Sequence, residues 1–205
     1  MNFTLSPDQM KTRLKYIVFT ALFLTMLYFS SVCNVQGTGN ADMGSVWGDW
    51  QLSFRMGTQM SGIKDEDFVA SNYSPLLNVT FGKWFSPVLA LQLGYKGWYF
   101  NSIGDEDKHK YGYYYGEAVL NVNKLFKQYK DSCKWSLYLH GGSGYFYNYT
   151  YNRPNVCADL GISNNYRFSN MFQASLDVSA IMGWDIYQGN DDILPGISLG
   201  IACLF

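Results

Sequence analysis

The chain has 205 residues, a length for one domain, with 15 Lys and Arg against 16 Asp and Glu and a net charge of −1. That balance gives no electrostatic basis for binding nucleic acid. Aromatic residues make up 18% and charged residues only 15%, the opposite of a disordered composition, and a mean hydropathy of −0.12 is too polar for a helical membrane protein.

The N-terminus comes first. Lys11, Arg13 and Lys15 precede an apolar run from Tyr16 to Phe29, and small or polar residues from Ser30 to Gly37 follow. A basic region, a short apolar region and a small-residue exit read as a secretory signal peptide over positions 1–37. Val35-Gln36-Gly37 and Ser31-Val32-Cys33 are workable cleavage sites, and Met10 is a second candidate start. An uncleaved anchor would need a longer run. Lipidation of Cys33 is disfavoured by Val32, which stands where a small residue belongs.

Positions 38–205 form the second unit, and there the apolar residues recur at period 2 in segments about ten residues long. Trp50, Leu52, Phe54 and Met56 alternate with Gln51, Ser53 and Arg55, and Leu77, Val79 and Phe81 with Asn78, Thr80 and Gly82. Leu89, Leu91, Leu93 and Tyr95 alternate with Ala90, Gln92, Gly94 and Lys96, and Ala118, Leu120 and Val122 with Glu117, Val119 and Asn121. Trp135, Leu137 and Leu139 oppose Ser136, Tyr138 and His140, and Ala158, Leu160 and Ile162 oppose Asp159, Gly161 and Ser163. The last two segments set Phe172 to Met182 against Gln173, Ser175, Asp177 and Ser179, then Ile197 to Phe205 against Ser198, Gly200 and Ala202.

Eight such segments predict an all-β fold, an eight-stranded antiparallel up-and-down transmembrane β-barrel. A soluble sandwich would carry many charges on its polar face, whereas this face is mostly Gly, Ser, Asn, Gln and Thr. Such small neutral groups suit a narrow lumen, and the apolar face is left for lipid. Connectors alternate long and short, as in bacterial outer-membrane barrels, with Asn123 to Lys134 a longer periplasmic exception. Aromatic girdles are expected at both ends: Trp84, Phe85, Phe126, Trp135, Phe168 and Phe205 on the periplasmic side, and Tyr95, Trp98, Tyr99, Tyr111, Tyr113, Tyr145 and Trp184 on the outer side.

Ser74 to Tyr95, reading SPLLNVTFGKWFSPVLALQLGY, resembles the second and third strands of OmpA-type outer-membrane barrels of the Bacteroides group. The resemblance covers roughly Ser45 to Phe205. It implies an outer-membrane location, with lipid, lipopolysaccharide and, during biogenesis, the barrel assembly machinery as partners. The terminal Phe205 is similar to the signal that this machinery recognises. The larger members carry a peptidoglycan-binding domain after the barrel, and none follows here, so tethering to the cell wall is not implied.

Arg55, Lys96, Glu117, His140, Asp159 and Asp177 all fall on the lumen-facing phase. Charges inside a small barrel must pair, so a network filling the lumen is expected, with a gate as the functional alternative. Asp65, Glu66, Asp67, Asp105, Glu106, Asp107, Asp185, Asp191 and Asp192 are assigned to outer loops. Hydration of those loops is the plain account, and cation bridges to lipopolysaccharide phosphates a second one. No nucleophile accompanies His109 in its acidic loop, and Gly141-Gly142-Ser143-Gly144 lacks the lysine of a phosphate loop. The expected function is therefore non-enzymatic, structural or surface-interacting, without metal or cofactor. A narrow gated pore for small solutes and a periplasmic ligand-binding barrel are the alternatives. Cys133 and Cys157 are expected at opposite ends of neighbouring strands, too far apart for a disulfide.

Overall fold

The structure, a computed structural model, describes residues 50–61, 73–101, 108–125, 134–184, 186 and 191–205. The proposed leader, Cys33, Phe126 and Cys133 lie outside the described residues. Eight strands follow one another: β1 (Trp50–Met60), β2 (Tyr73–Trp84), β3 (Leu89–Asn101), β4 (Lys108–Asn121), β5 (Trp135–Asn148), β6 (Arg153–Arg167), β7 (Phe172–Trp184) and β8 (Asp191–Leu204). A single helical turn, α1 (Val122–Leu125), follows β4. Each strand pairs antiparallel with the next, and β8 returns to pair with β1, so the sheet closes on itself. Closure leaves no edge strand to satisfy. Trp50 and Phe205 complete the seam by exchanging backbone hydrogen bonds of 2.7 and 2.9 Å.

The period-2 pattern dictates which face each residue takes. On β1 the exposure alternates strictly from Trp50 to Met56, with Gln51, Ser53 and Arg55 turned inward. The outward side chains are the apolar ones: Leu93 is 70% exposed, Leu199 65% and Ile201 55%. The buried set is dominated instead by Ser, Asn, Gln and charged residues. This is inside-out relative to a water-soluble domain.

Local chemistry sets the turns. At the end carrying Trp50 and Phe205, the N–H groups of Phe85 and Ser86 both donate to Leu89 O, and those of Phe168 and Ser169 both donate to Phe172 O. At the far end β5 and β6 are joined by only four residues. There Asn148 Oδ1 accepts from the N–H groups of Thr150 and Tyr151 at 3.0 and 3.3 Å, and Asn152 takes φ 54°. Asn is the residue type that tolerates both duties.

Several girdle expectations are corrected. Trp84, Tyr111 and Tyr113 are buried inside the barrel, not at the lipid interface. They share the inward parity of Thr80 and Glu117, and parity overrides the tendency of aromatics to collect at strand ends. Trp98 has inward parity too, but φ 141° at this residue breaks the alternation, and its side chain is exposed. Phe85, Phe168, Phe205 and Tyr145 are exposed at the strand ends. The side chain of Trp184 is outside the described set.

The lumen is filled in layers. Toward the Trp50 end, Trp84, Ala90, Val119 and Tyr138 pack together. Toward the far end, Tyr111, Tyr113, Tyr115, Phe146, Cys157, Ile181, Ile186 and Leu194 form a second apolar cluster. An eight-stranded barrel is about wide enough for its side chains to fill it.

Candidate functional site: a buried charge layer in the lumen

Between the two apolar layers lie Arg55, Lys96, Glu117, His140, Asp159 and Asp177, each no more than 4% exposed. They come from six strands, β1, β3, β4, β5, β6 and β7, one from each. The structure brings all six into one connected set. His140 is the hub: Nδ1 is 2.8 Å from Glu117 Oε2 and Nε2 is 2.7 Å from Asp177 Oδ2. Only a ring with an N–H on both nitrogens donates to both carboxylates at once. His140 Nδ1 also lies 3.9 Å from Asp159 Oδ1.

The cations complete the layer. Lys96 Nζ donates to Asp159 Oδ2 and, at 3.1 Å, to Ser179 Oγ, and it sits 5.0 Å from the Tyr115 ring centroid. Arg55 Nε donates to Ser175 Oγ at 3.2 Å, while Nη1 stands 4.0 Å from Asp177 Oδ2. With the imidazolium counted, three positive charges face three negative ones. That neutrality is what makes the layer tolerable at low dielectric, where an unpaired charge is strongly destabilising.

Neutral inward residues fix the remaining atoms. Gln92 Nε2 donates to Glu117 Oε1, and Ser179 Oγ donates to Asp177 Oδ1 at 3.1 Å. Tyr115 O–H donates to Asn78 Oδ1 at 2.7 Å. Glycines supply the room. Arg55 stands opposite Gly200, Glu117 opposite Gly142, and His140 opposite Gly161. A Cβ at Gly161 would fall 2.5 Å from His140 Cε1, and one at Gly142 would fall 2.6 Å from the Glu117 Cα. The His140 ring and the Arg55 stem therefore need a partner strand without a side chain at that point, whereas Gly142 is required first by the close approach of the β4 backbone, with Gly116 O 2.0 Å from such a Cβ. Sequence reasoning did not pick out Gln92, Ser175, Ser179 or these glycines, although inward parity marks every one of them.

Below the layer is a cavity of about 10 Å³ lined by residues including Gln51, Arg55, Trp84, Gln92, His140 and Ser163. Trp84 Nε1 donates to Gln51 Oε1 at its wall, at 3.0 Å. This space holds at most one water.

The acidic cluster assigned to outer loops is corrected in part. Asp191 and Asp192 belong to β8, and Asp192 is 4% exposed, because it shares the inward parity of Ser198 and Gly200. It lies beside Cys157 rather than in a hydrated loop. Asp65, Glu66, Asp67, Asp105, Glu106, Asp107 and Asp185 lie outside the described residues. His109 is likewise in β4, buried, with its ring stacked on Tyr151 at 4.9 Å, and not in a loop. Cys157 is buried in the far-end lumen cluster and Cys203 lies on the outward parity of β8; both are free thiols.

No family model and no curated protein matches the chain. Solved structures do. Neisserial surface protein A aligns at a TM-score of 0.51 and 9% identity, covering 78% of this chain and 98% of that one. The N-terminal β-barrel domain of Pseudomonas aeruginosa OprF aligns at 0.51 and 13%, covering 77% and 99%. The outer membrane protein OprG from Pseudomonas aeruginosa gives 0.49 and 11%, covering 78% and 96%. At identities of 9% and 13%, the likeness to the first two is one of fold alone, a β-barrel.

Proposed function

We propose that the chain is a non-enzymatic outer-membrane barrel of the OmpA-like kind, with a structural or surface-interacting role and a sealed lumen. One observation carries the reading: a closed barrel exposes Leu52, Phe54, Leu91, Leu93, Leu160, Leu199 and Ile201 while turning its charges inward. Water would penalise that surface, whereas a bilayer solvates it. The end with Trp50, Phe205 and the Phe85 and Phe168 turns then faces the periplasm, and the Tyr73, Trp98, Tyr145 and Tyr149 end faces outward. Outer-membrane lipid and lipopolysaccharide surround the barrel, and the exposed Phe205 is offered to the assembly machinery.

The two apolar layers enclosing a paired charge layer favour a plug over a pore. The test is gel mobility of the protein in detergent with and without boiling, followed by planar-bilayer recording. A shift on boiling with no unitary conductance is expected. Solubility without detergent after removal of the leader refutes the membrane reading, and steady unitary currents refute the plug.

A further inference from the structure

We propose that Glu117, His140 and Asp159 form a binding site for one first-row divalent transition-metal ion, zinc being the reference, which clips β4, β5 and β6 together inside the lumen. Each of the three residues offers one ligand atom, and these atoms lie within 4.8 Å of one another. Two carboxylate oxygens and an imidazole nitrogen are a donor set that such ions take.

The atoms that do not converge are the ones already held. Glu117 Oε1 accepts from Gln92, and Asp159 Oδ2 accepts from Lys96. His140 Nε2 faces Asp177 Oδ2 at 2.7 Å, the carboxylate–histidine arrangement that fixes a metal ligand's tautomer and orientation. Three atoms remain: Glu117 Oε2 and His140 Nδ1, which hold each other at 2.8 Å, and Asp159 Oδ1, 3.9 Å from Nδ1. The last has no hydrogen-bond partner, although Asp159 is 2% exposed. A buried carboxylate oxygen left without a donor is costly, and an ion would satisfy it.

The Glu117–His140 pair is already close, and Asp159 would have to move in by roughly 0.5 Å or more. Nδ1 is 2.8 Å from Glu117 Oε2 and 3.9 Å from Asp159 Oδ1. Ligand atoms about 2.1 Å from a metal stand roughly 3.0 to 3.4 Å apart at octahedral or tetrahedral angles. The ion would displace the proton from Nδ1, and that proton would leave to solvent. The small cavity beneath, lined by His140 and Gln92, has room for one water as a further ligand. Lys96 and Arg55 would stay on their present carboxylates, and because Zn²⁺ with a neutral imidazole leaves one positive charge in excess, the water ligand would be held as hydroxide, which restores the neutrality of the layer.

The test uses the full chain refolded into detergent with Zn²⁺ or Co²⁺, washed with chelator and passed over a sizing column. The expected result is about one ion retained per chain, lost in both Asp159→Asn and His140→Gln, with an unfolding midpoint raised by the ion in the unsubstituted protein only. Retention below about a tenth of an ion per chain overturns the proposal. So does equal retention by both variants, which would place the ion on external carboxylates. Should either variant fail to give a heat-shifting barrel, the Co²⁺ spectrum of the unsubstituted protein decides. Ligand-field bands unlike those of the aquo ion support the site, and an aquo-like spectrum refutes it.

Discussion

Gly161→Ala isolates the packing that the charge layer depends on. The added Cβ would sit 2.5 Å from His140 Cε1, 2.6 Å from His140 Nε2 and 2.5 Å from Ser179 Cβ. Ordinary contact begins near 3.4 Å, so the imidazole must retreat by about 0.9 Å. Its two nitrogens hold Glu117 and Asp177 at 2.8 and 2.7 Å, and the ring cannot move that far and keep both. Overpacking a filled interior costs about 1–3 kcal/mol, and a lost hydrogen bond to a charged group about 1.5–3 kcal/mol. We expect a loss of about 2–5 kcal/mol, since the two costs overlap. Gly116→Ala is the matched control: it lies on the outward parity, and its nearest neighbour would be Leu93 Cδ2 at 3.5 Å, an ordinary contact. Urea unfolding in lipid bilayers, followed by boiled and unboiled gel mobility, gives both values. The reasoning fails if the two variants differ by less than about 0.5 kcal/mol.

Leu93→Arg, at an outward position 70% exposed, should cost about 2–4 kcal/mol in a bilayer, whereas on a water-facing surface it would be close to neutral. Equilibrium unfolding in vesicles reads the difference. Lys96→Met strips Asp159 of its ammonium partner and should cost about 3–5 kcal/mol, with the double variant K96M/D159L recovering much of it. A double variant as unstable as the sum of its singles would show that the pair is not coupled. Trp84→Phe removes the donor to Gln51 Oε1 while keeping an apolar ring in the lumen. The expected cost is about 1–3 kcal/mol if Gln51 is left unsatisfied, checked by the shift in urea midpoint. Tyr113→Ala thins the far-end aromatic layer but leaves the charge layer in place, so planar bilayers should stay silent. Steady unitary currents from this variant would mean that the aromatic layer alone seals the lumen.

The fold was legible because a barrel of this size has one dominant sequence signal. Alternation placed Arg55, Lys96, Glu117, His140, Asp159 and Asp177 on one parity, and closure then makes that parity a shared interior. What was misread came from letting residue type outweigh parity. Tyr111 and Tyr113 share the parity of Glu117, and Trp84 that of Thr80, yet each was assigned to the interface because it is aromatic and near a strand end. Asp192 and His109 were assigned to loops because strand ends are hard to place from charge alone; β4 and β8 begin earlier than their apolar residues indicate. Trp98 is the reverse case. Parity points it inward, and a single backbone angle of 141° is associated with its exposure, which no pattern in the sequence announces. The pairing of glycine with charge across strands was also hidden, since it requires the register and not only the faces.

That register is what the charge layer specifies. A slip of one residue between neighbouring strands is already excluded by alternation, because it would turn every inward group toward lipid. At about 2–4 kcal/mol for each lysine or arginine near mid-bilayer, such a slip is prohibitive. A slip of two residues keeps both faces correct, so the hydrophobic pattern is blind to it. The lumen is not. His140 lies opposite Gly161 in β6, and a two-residue slip would set it against Asp159 or Ser163, where a side chain occupies the space the imidazole needs. Arg55 opposite Gly200 and Glu117 opposite Gly142 impose the same condition at the β1–β8 and β4–β5 pairings. A buried ion pair is weak evidence of stability in itself, and its better-attested use is to single out one arrangement among near-equals. Here the near-equals are the even slips of a closed sheet. Replacing the six charged residues with apolar ones of similar volume should therefore leave a barrel that still inserts but populates more than one register, which cross-strand disulfide trapping between β5 and β6 would detect.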